Sequence, residues 1–306
     1  MKAIVLHGYG PASALRLETV DDPRPAAGEV LVSVAAAGLN PIDWKVRSGS
    51  VKERMPVTFP WIPGRDAAGV VRQVGEGVQG FAPDDRVMAM TEHAYAELCA
   101  VKAKDLARIP DGMDMTTAAA LPLVSVTGDQ LVRLGAGVQA GWTVVVTGAL
   151  GAVGRTAVFA AAGLGARVIA GVRGRQLDEA RRLPGVVDAV ALDDPSPDGE
   201  AALAALGPLD AVADTVGGEA ATRLMARLRP GGVYGSVVGP PSDPRVDVQV
   251  NPIFAQPDAA AVRRYAEAVH AGRLSIPFDR TLPLAHAAEG QAAAERGGAG
   301  KIVLLV

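Results

Sequence analysis

The sequence predicts an α/β protein in which an antiparallel, barrel-like N-terminal region precedes a parallel sheet covered by helices on both faces. Three observations predict it. Residues 1–110 read as short β segments separated by Gly, Pro and Asp clusters. From Thr143 onward, apolar strands alternate with amphipathic helical stretches, the pattern that builds a parallel sheet. A chain of 306 residues, 49% hydrophobic and 21% charged, has the composition of a globular protein with room for about two domains.

The elements follow in order. Residues 2–6, 29–37, 66–74 and 94–101 are rich in Val, Ile, Leu and Ala and are bounded by turn residues, as strands are. Pro110-Asp111-Gly112 is a turn, and residues 116–121 and 128–134 read as helical stretches separated by Pro122. Val144-Val145-Val146 leads into a glycine-rich turn and a helix over 153–164. A second strand covers 167–172 and a helix 175–183, and the polar residues 193–200 read as a loop. Strands over 209–214 and 233–238 flank a helix over 219–228 that stops at Pro230-Gly231-Gly232. A long helix over 258–271 is capped by Gly272, and the tail carries a strand, a helix over 284–296 and a strand over 301–306.

Charge and cysteine content exclude several functions. Thirty Lys plus Arg against 33 Asp plus Glu leave a net charge of −3 and no basic footprint for nucleic acid or anionic lipid. The single cysteine, Cys99, forms no internal disulfide and cannot by itself supply a Cys-rich zinc site, which fits a reducing cytoplasm. Neither a transmembrane helix nor a signal peptide is expected.

Val146-Thr147 runs into Gly148-Ala149-Leu150-Gly151-Ala152-Val153-Gly154, with glycines three apart after a strand and before a helix. Phosphate needs backbone N–H groups unobstructed by side chains, and the positive end of a helix dipole favours its charge. Gly148 and Gly151 allow the turn and the close approach, and Gly154 lets the helix sit against the strand, so this segment is expected to bind a dinucleotide. An NAD-type site would place an acid at the end of the second strand, but this one reads Val172-Arg173-Gly174-Arg175, with no acid until Asp178. Two guanidiniums suit a 2′-phosphate, which predicts NADPH; the alternative reading is a pair of solvated arginines at a helix start.

Several strings resemble, in the right order, the medium-chain dehydrogenase/reductase superfamily in its zinc-independent quinone oxidoreductase and enone (alkenal) reductase branch. Asn40-Pro41-Ile42-Asp43-Trp44-Lys45-Val46-Arg47-Ser48-Gly49 resembles the branch's N-P-x-D-x-K-x-R-x-G, and Pro63-Gly64-Arg65-Asp66-Ala67-Ala68-Gly69-Val70-Val71 its P-G-x-D-x-A-G-x-V. Ala119-Ala120-Leu121-Pro122 followed by Thr127, the glycine turn, Leu228-Arg229-Pro230-Gly231-Gly232 and Gly300-Lys301-Ile302-Val303-Leu304 complete the set. The resemblance implies a Rossmann doubly wound parallel sheet domain, residues 125–257, inserted in a GroES-like β-barrel-type catalytic domain of residues 1–124 and 258–306. It implies contacts to the cofactor from Thr127, Val216, Val238 and Phe254, although the sequence alone reads the last three as core. Pairing into a homodimer through an edge of the Rossmann sheet is implied as well.

Where the zinc enzymes of this superfamily carry a ligand Cys and a ligand His, this chain has Asn40 and Arg65, so no metal is expected. Without a Lewis acid the substrate must already be electrophilic, which points to quinones or α,β-unsaturated carbonyls reduced by hydride from NADPH. The resemblance makes Lys45 the cation at the developing oxyanion, and Asn40 is expected to donate through its amide. Solvation of Lys45 and turn formation by Asn40 are the alternatives. Trp44 and Trp61 read either as an apolar substrate lining or as core, Cys99 as a small core hydrophobe, and the four histidines show no ligand spacing. Two other functions are open: reduction of an enoyl thioester by the same hydride addition, and non-catalytic NADPH binding by a redox sensor.

Overall fold

The computed structural model describes residues 1–306 except Ser242 and Ala299. Two compact units form. The first comprises Met1–Leu123, Pro257–Ala271 and Pro277–Val306, and the second Val124–Gln256 and Gly272–Ile276.

The chain begins with an antiparallel pair, β1 (Lys2–Val5) and β2 (Arg16–Thr19). The long strand β3 (Glu29–Leu39) follows, and its run of Val, Leu and Ala is buried along most of its length because other strands flank it on both edges. Residues 41–48, to which the sequence reading assigned no element, form α1 (Pro41–Ser48). Asn40 is its N-cap, Pro41 presets φ at the first helical position, and Asp43 Oδ2 reaches back 2.8 Å to the Asn40 N–H. Gly49 ends the helix at φ 79°, a left-handed conformation that glycine adopts without strain. Strands β4 (Asp66–Val74), β5 (Arg86–Met90), β6 (Leu98–Lys102) and β7 (Leu106–Arg108) come next, then α2 (Met115–Ala119), capped by Asp114. β6 starts four residues later than the expected 94, after an irregular stretch in which His93 has φ 61°.

In the second stretch of chain, α3 (Pro122–Gln130) starts at the proline and continues as a π turn over Leu131–Gly135. β8 (Thr143–Thr147), α4 (Ala152–Gly163) and β9 (Arg167–Val172) lie close to the expected bounds. The helix expected over 175–183 contracts to a 3-10 turn and α5 (Leu177–Ala180), and β10 (Val186–Ala191) follows. The polar segment expected as a loop becomes α6 (Pro197–Ala205). Ser196 caps it by accepting from the Gly199 N–H, with Pro197 first in the helix, so the polar residues are those of an N-terminal turn. β11 (Leu209–Asp214), α7 (Gly218–Met225), β12 (Leu228–Ser236) and β13 (Gln249–Pro252) complete the sheet. Its order is β10-β9-β8-β11-β12-β13, all parallel. Val145, Ile169 and Val212 pack on one face of the sheet, and Val144, Val146 and Val168 on the other.

The chain then returns to the first unit as α8 (Ala259–His270), β14 (Phe278–Pro283), α9 (Ala287–Arg296) and β15 (Lys301–Leu305). β15 inserts between β14 and β3 in a sheet ordered β14-β15-β3-β4-β5-β7, with β6 also on β3. Val32, Leu39, Val87, Ile302 and Leu304 share its core. The fold is thus a Rossmann parallel sheet and a separate GroES-like β unit. No helix among the described residues is long and apolar enough to cross a membrane.

Candidate active site

In the parallel sheet, consecutive units run outward from β8 on one side and from β11 on the other, so the strand order reverses between those two strands. Ligands of open parallel sheets bind at the carboxyl ends of the strands at such a reversal. There the chain turns through Gly148 at φ 60° and enters α4 with Gly151 as an N-cap that has no side-chain cap bond. A Cβ at Gly154 would stand 2.0 Å from the Gly148 carbonyl oxygen, and one at Gly148 2.6 Å from Thr215 Oγ1. Both positions therefore exclude any side chain. The first amides of α4 have no intrahelical partners, and Ala149, Leu150, Ala152 and Val153 complete the turn around them. These residues fit the diphosphate of a dinucleotide.

The reversal is fastened by Asp214 at the end of β11. Its Oδ1 accepts from Thr147 Oγ1 at 2.8 Å and from the N–H groups of Val216 and Gly217 at 3.0 Å, and its Oδ2 accepts from Ser236 Oγ at 2.9 Å. Thr215 N–H donates to Thr147 Oγ1, and the Val238 and Gly239 amides donate to Ser236 Oγ. One carboxylate thus sets the ends of β8, β11 and β12. Sequence reasoning missed Asp214; the available signal was an acid closing the apolar run Ala211-Val212-Ala213 at the end of a strand.

This fastening leaves Val216 55% and Val238 44% exposed, and Phe254, after β13, is 52% exposed. The reading of all three as core is corrected: they stand exposed at the carboxyl ends of β11, β12 and β13. Thr127 lies half-buried on α3. Arg173 and Arg175 follow β9 and are exposed, with no ion pair to either among the described residues. Arg155, on the second turn of α4, donates to the Leu150 carbonyl and pairs with Glu179 at 2.9 Å, which ties the glycine turn to α5.

In the first unit, α1 and β4 build a buried polar cluster. Asp66 Oδ2 accepts from Asn40 Nδ2 at 2.8 Å and Lys301 Nζ at 3.0 Å, and its Oδ1 accepts from the Leu123 N–H at 2.7 Å. Lys301 Nζ also donates to Asn40 Oδ1 at 2.6 Å. Asn40 is fully buried and its amide hydrogens go to Asp66 and the Gly38 carbonyl. In this arrangement Asn40 is a bridge holding the Asp66–Lys301 pair together.

Asp43 lies beside this cluster, and Asp66 and Lys301 act on its charge in opposite directions. Its Oδ2 accepts from the Asn40 N–H and from Tyr95 Oη, each at 2.8 Å, whereas Oδ1 has no partner. Burial pushes its pKa up to about 6 against the opposing pull of those two donors. The Tyr95 hydroxyl is held well above its usual value by burial and by the carboxyl beside it.

A cavity of about 450 Å³ opens beside Asp43, lined also by Val46, Met55, Trp61, Arg65, Glu92 and His93. Arg65 Nε is buried without a partner, and its Nη1 stands 3.8 Å from Glu92 Oε1. Trp61 thus lines a cavity, whereas Trp44 and Lys45 are not in its lining. Lys45 lies half-buried on α1 with Nζ 5.8 Å from the centre of the Trp44 ring. Cys99 is buried, donates to the Glu92 carbonyl at 3.1 Å, and burial pushes its thiol up to about 12, so it is no nucleophile. No group of three His, Cys, Asp or Glu side chains suited to a metal ion occurs among the described residues.

Two family profiles match the chain: an alcohol dehydrogenase GroES-like domain over residues 26–136 and a zinc-binding dehydrogenase domain over residues 187–304. The chloroplast envelope quinone oxidoreductase homolog of Arabidopsis thaliana is 34% identical over 193 residues, 60% of this chain and 59% of that protein. Among solved structures, the quinone oxidoreductase from Coxiella burnetii superposes with a TM-score of 0.85 at 26% identity, covering 100% of this chain and 99% of that one. A mycobacterial protein solved in complex with NADPH superposes with a TM-score of 0.84 at 26% identity, covering 100% of both chains. The curated relatives first in similarity are matched over 37% to 60% of their own length.

Proposed function

Because the chain belongs to the medium-chain dehydrogenase/reductase superfamily, in its quinone oxidoreductase branch, we propose that it is a zinc-independent reductase that uses NADPH to reduce quinones or α,β-unsaturated carbonyl compounds. The superfamily is one of NAD(P)-dependent oxidoreductases, and the observation that carries the reading is the glycine cradle at 148–154. Its Gly148 and Gly154 admit no side chain, and the N-terminus of α4 stands open beside them. When bound, the reduced dinucleotide supplies hydride.

The chain's own residues supply the rest. The turn from Gly148 to Gly154 and the amides of α4 hold the diphosphate, and Thr127, Val216, Val238 and Phe254 offer contact surface to the cofactor. Arg173 and Arg175 are free to fork onto a 2′-phosphate, which supports NADPH over NADH. Asn40 and Arg65, one buried in hydrogen bonds and the other cationic, make a donor set that does not fit a catalytic zinc. The acceptor must then be activated by its own conjugation. Lys45, on α1, is the cation assigned to the oxyanion that develops as hydride adds.

The test is consumption of NADPH and NADH at 340 nm with a quinone, an enone and a crotonyl thioester. Turnover of the first two with NADPH preferred supports the assignment. Turnover of the thioester alone makes the chain an enoyl-thioester reductase, and tight NADPH binding with no turnover makes it a redox sensor.

A further inference from the structure

Asp43 carries a carboxyl oxygen that nothing in the fold uses. The residue is 1% exposed, its Oδ2 is held by Asn40 N–H and Tyr95 Oη, and its Oδ1 has no hydrogen-bond partner. Buried oxygens without partners are costly, and a hydrogen bond to a ligand would offset that cost here. Asp43 also lines the 450 Å³ cavity, whose other walls combine the apolar Val46, Met55 and Trp61 with the polar Arg65, Glu92 and His93. Such a lining suits a flat conjugated body with one polar end.

We infer that Asp43 is the proton donor of the reduction, delivering a proton from Oδ1 to the oxygen of a conjugated carbonyl seated in this cavity; Lys45, which does not line it, contributes its charge without touching that oxygen. The inference rests on the reductase reading. Hydride, which the reduced dinucleotide would supply by breaking its own C–H bond, would add to the electrophilic carbon, and the π electrons would move to the carbonyl oxygen. The Asp43 Oδ1–H bond breaks as that oxygen takes the proton, giving an enol, which in the quinone case then loses the ring C–H proton and gains one on the second oxygen to become the hydroquinone, and the carboxylate recovers a proton from water. The two donors on Oδ2 keep the acid proton on Oδ1, the oxygen left for the substrate.

The groups that face Asp43 set when it holds its proton. Burial favours the neutral acid and Asp66 adds to it, whereas the Asn40 and Tyr95 donors and the Lys301 ammonium favour the carboxylate. Arg65, Glu92 and His93 line the same cavity, and His93 Nδ1 lies 2.9 Å from the Ile62 carbonyl, which leaves Nε2 for other partners.

The experiment titrates an oxyanion probe on the cofactor-free protein. Binding of 2,4-dinitrophenolate, which stays ionised throughout, is followed from about pH 5 to about pH 8. In the wild type it should weaken about tenfold per unit above ~6, because the anion needs the proton on Oδ1. Asp43→Asn, an isostere with an N–H in that place, should bind with no such dependence. Tyr95→Phe removes a donor that favours the carboxylate and should move the onset to higher pH. With NADPH and an enone, kcat/KM should fall over the same range in the wild type, and Asp43→Asn should lower kcat at least about tenfold with KM for NADPH unchanged. Far-ultraviolet circular dichroism confirms that both variants fold. Absent phenolate binding, a pH dependence unchanged in Asp43→Asn, or an onset unmoved by Tyr95→Phe overturns the inference. A wild type that turns over neither enone nor quinone defeats the reductase reading instead, while the phenolate titration still decides Asp43.

Discussion

Thr147 Oγ1 donates to Asp214 Oδ1 across 2.8 Å, and this bond joins the carboxyl ends of the two central strands at the point where the sheet reverses. Asp214 is fully buried and accepts from Thr147, Val216, Gly217 and Ser236. Asp214→Ala leaves those donors unsatisfied and should cost about 3–5 kcal/mol, read as a drop in the urea midpoint. Asp214→Asn, which keeps the shape and one carbonyl oxygen, should cost clearly less.

Gly154→Ala puts a methyl 2.0 Å from the Gly148 carbonyl oxygen, so the glycine turn or α4 must move. Overpacking of this kind costs about 1–3 kcal/mol. Dinucleotide affinity should fall more than about tenfold, because the amides of α4 no longer converge on one point. Quenching of tryptophan fluorescence by NADPH reads the affinity, and a thermal melt reads the stability.

Arg173→Gln combined with Arg175→Gln should raise KM for NADPH about tenfold or more and leave KM for NADH within about twofold, since only the 2′-phosphate loses its partners. Equal losses for both cofactors would remove the assignment of this pair.

Lys45→Ala should lower kcat on enones by about tenfold or more without weakening NADPH binding, if its ammonium stabilises the oxyanion. Steady-state rates at saturating NADPH measure it, and an unchanged kcat would return Lys45 to the solvated surface of α1.

Asp43 makes folding depend on pH. Its pKa is 3.8 unfolded and about 6 folded, so between those values the unfolded chain releases a proton that the folded chain keeps. Stability is thus highest below ~4, falls as pH rises, and has lost roughly 3 kcal/mol of this contribution above ~6. Asp43→Asn should lack this slope and gain on the wild type by that order between about pH 4 and 7, as measured by urea unfolding at each pH.

The sequence made the glycine turn visible because a strand and a helix flank Gly148, Gly151 and Gly154, and each constraint there is local. The same holds for the alternation that builds the parallel sheet. The helix α1 was also written locally, in Asn40, Pro41 and Asp43, but those residues serve turns equally well. Residues 193–200 misled for a related reason: a serine cap, a proline and two acids make both a polar loop and the first turn of α6. What was not legible is pairing across the chain. Tyr95 meets Asp43 across 52 positions, and Lys301 meets Asn40 across 261, and no local pattern announces either. Exposure of Val216, Val238 and Phe254 was hidden likewise, because the end of an apolar strand looks the same whether or not another layer covers it.

The ammonium that neutralises Asp66 is supplied 235 positions later in the chain, by Lys301 on β15. During synthesis, the stretch that holds Asn40 and Asp66 therefore waits, with a carboxylate it cannot enclose at low cost, while all of residues 124–256 emerge. The parallel-sheet unit can mature first, and the barrel-like unit closes last, when β15 slides between β14 and β3 and brings the missing positive charge. Chains stalled before residue 301 should leave this unit open to protease while the other is already resistant.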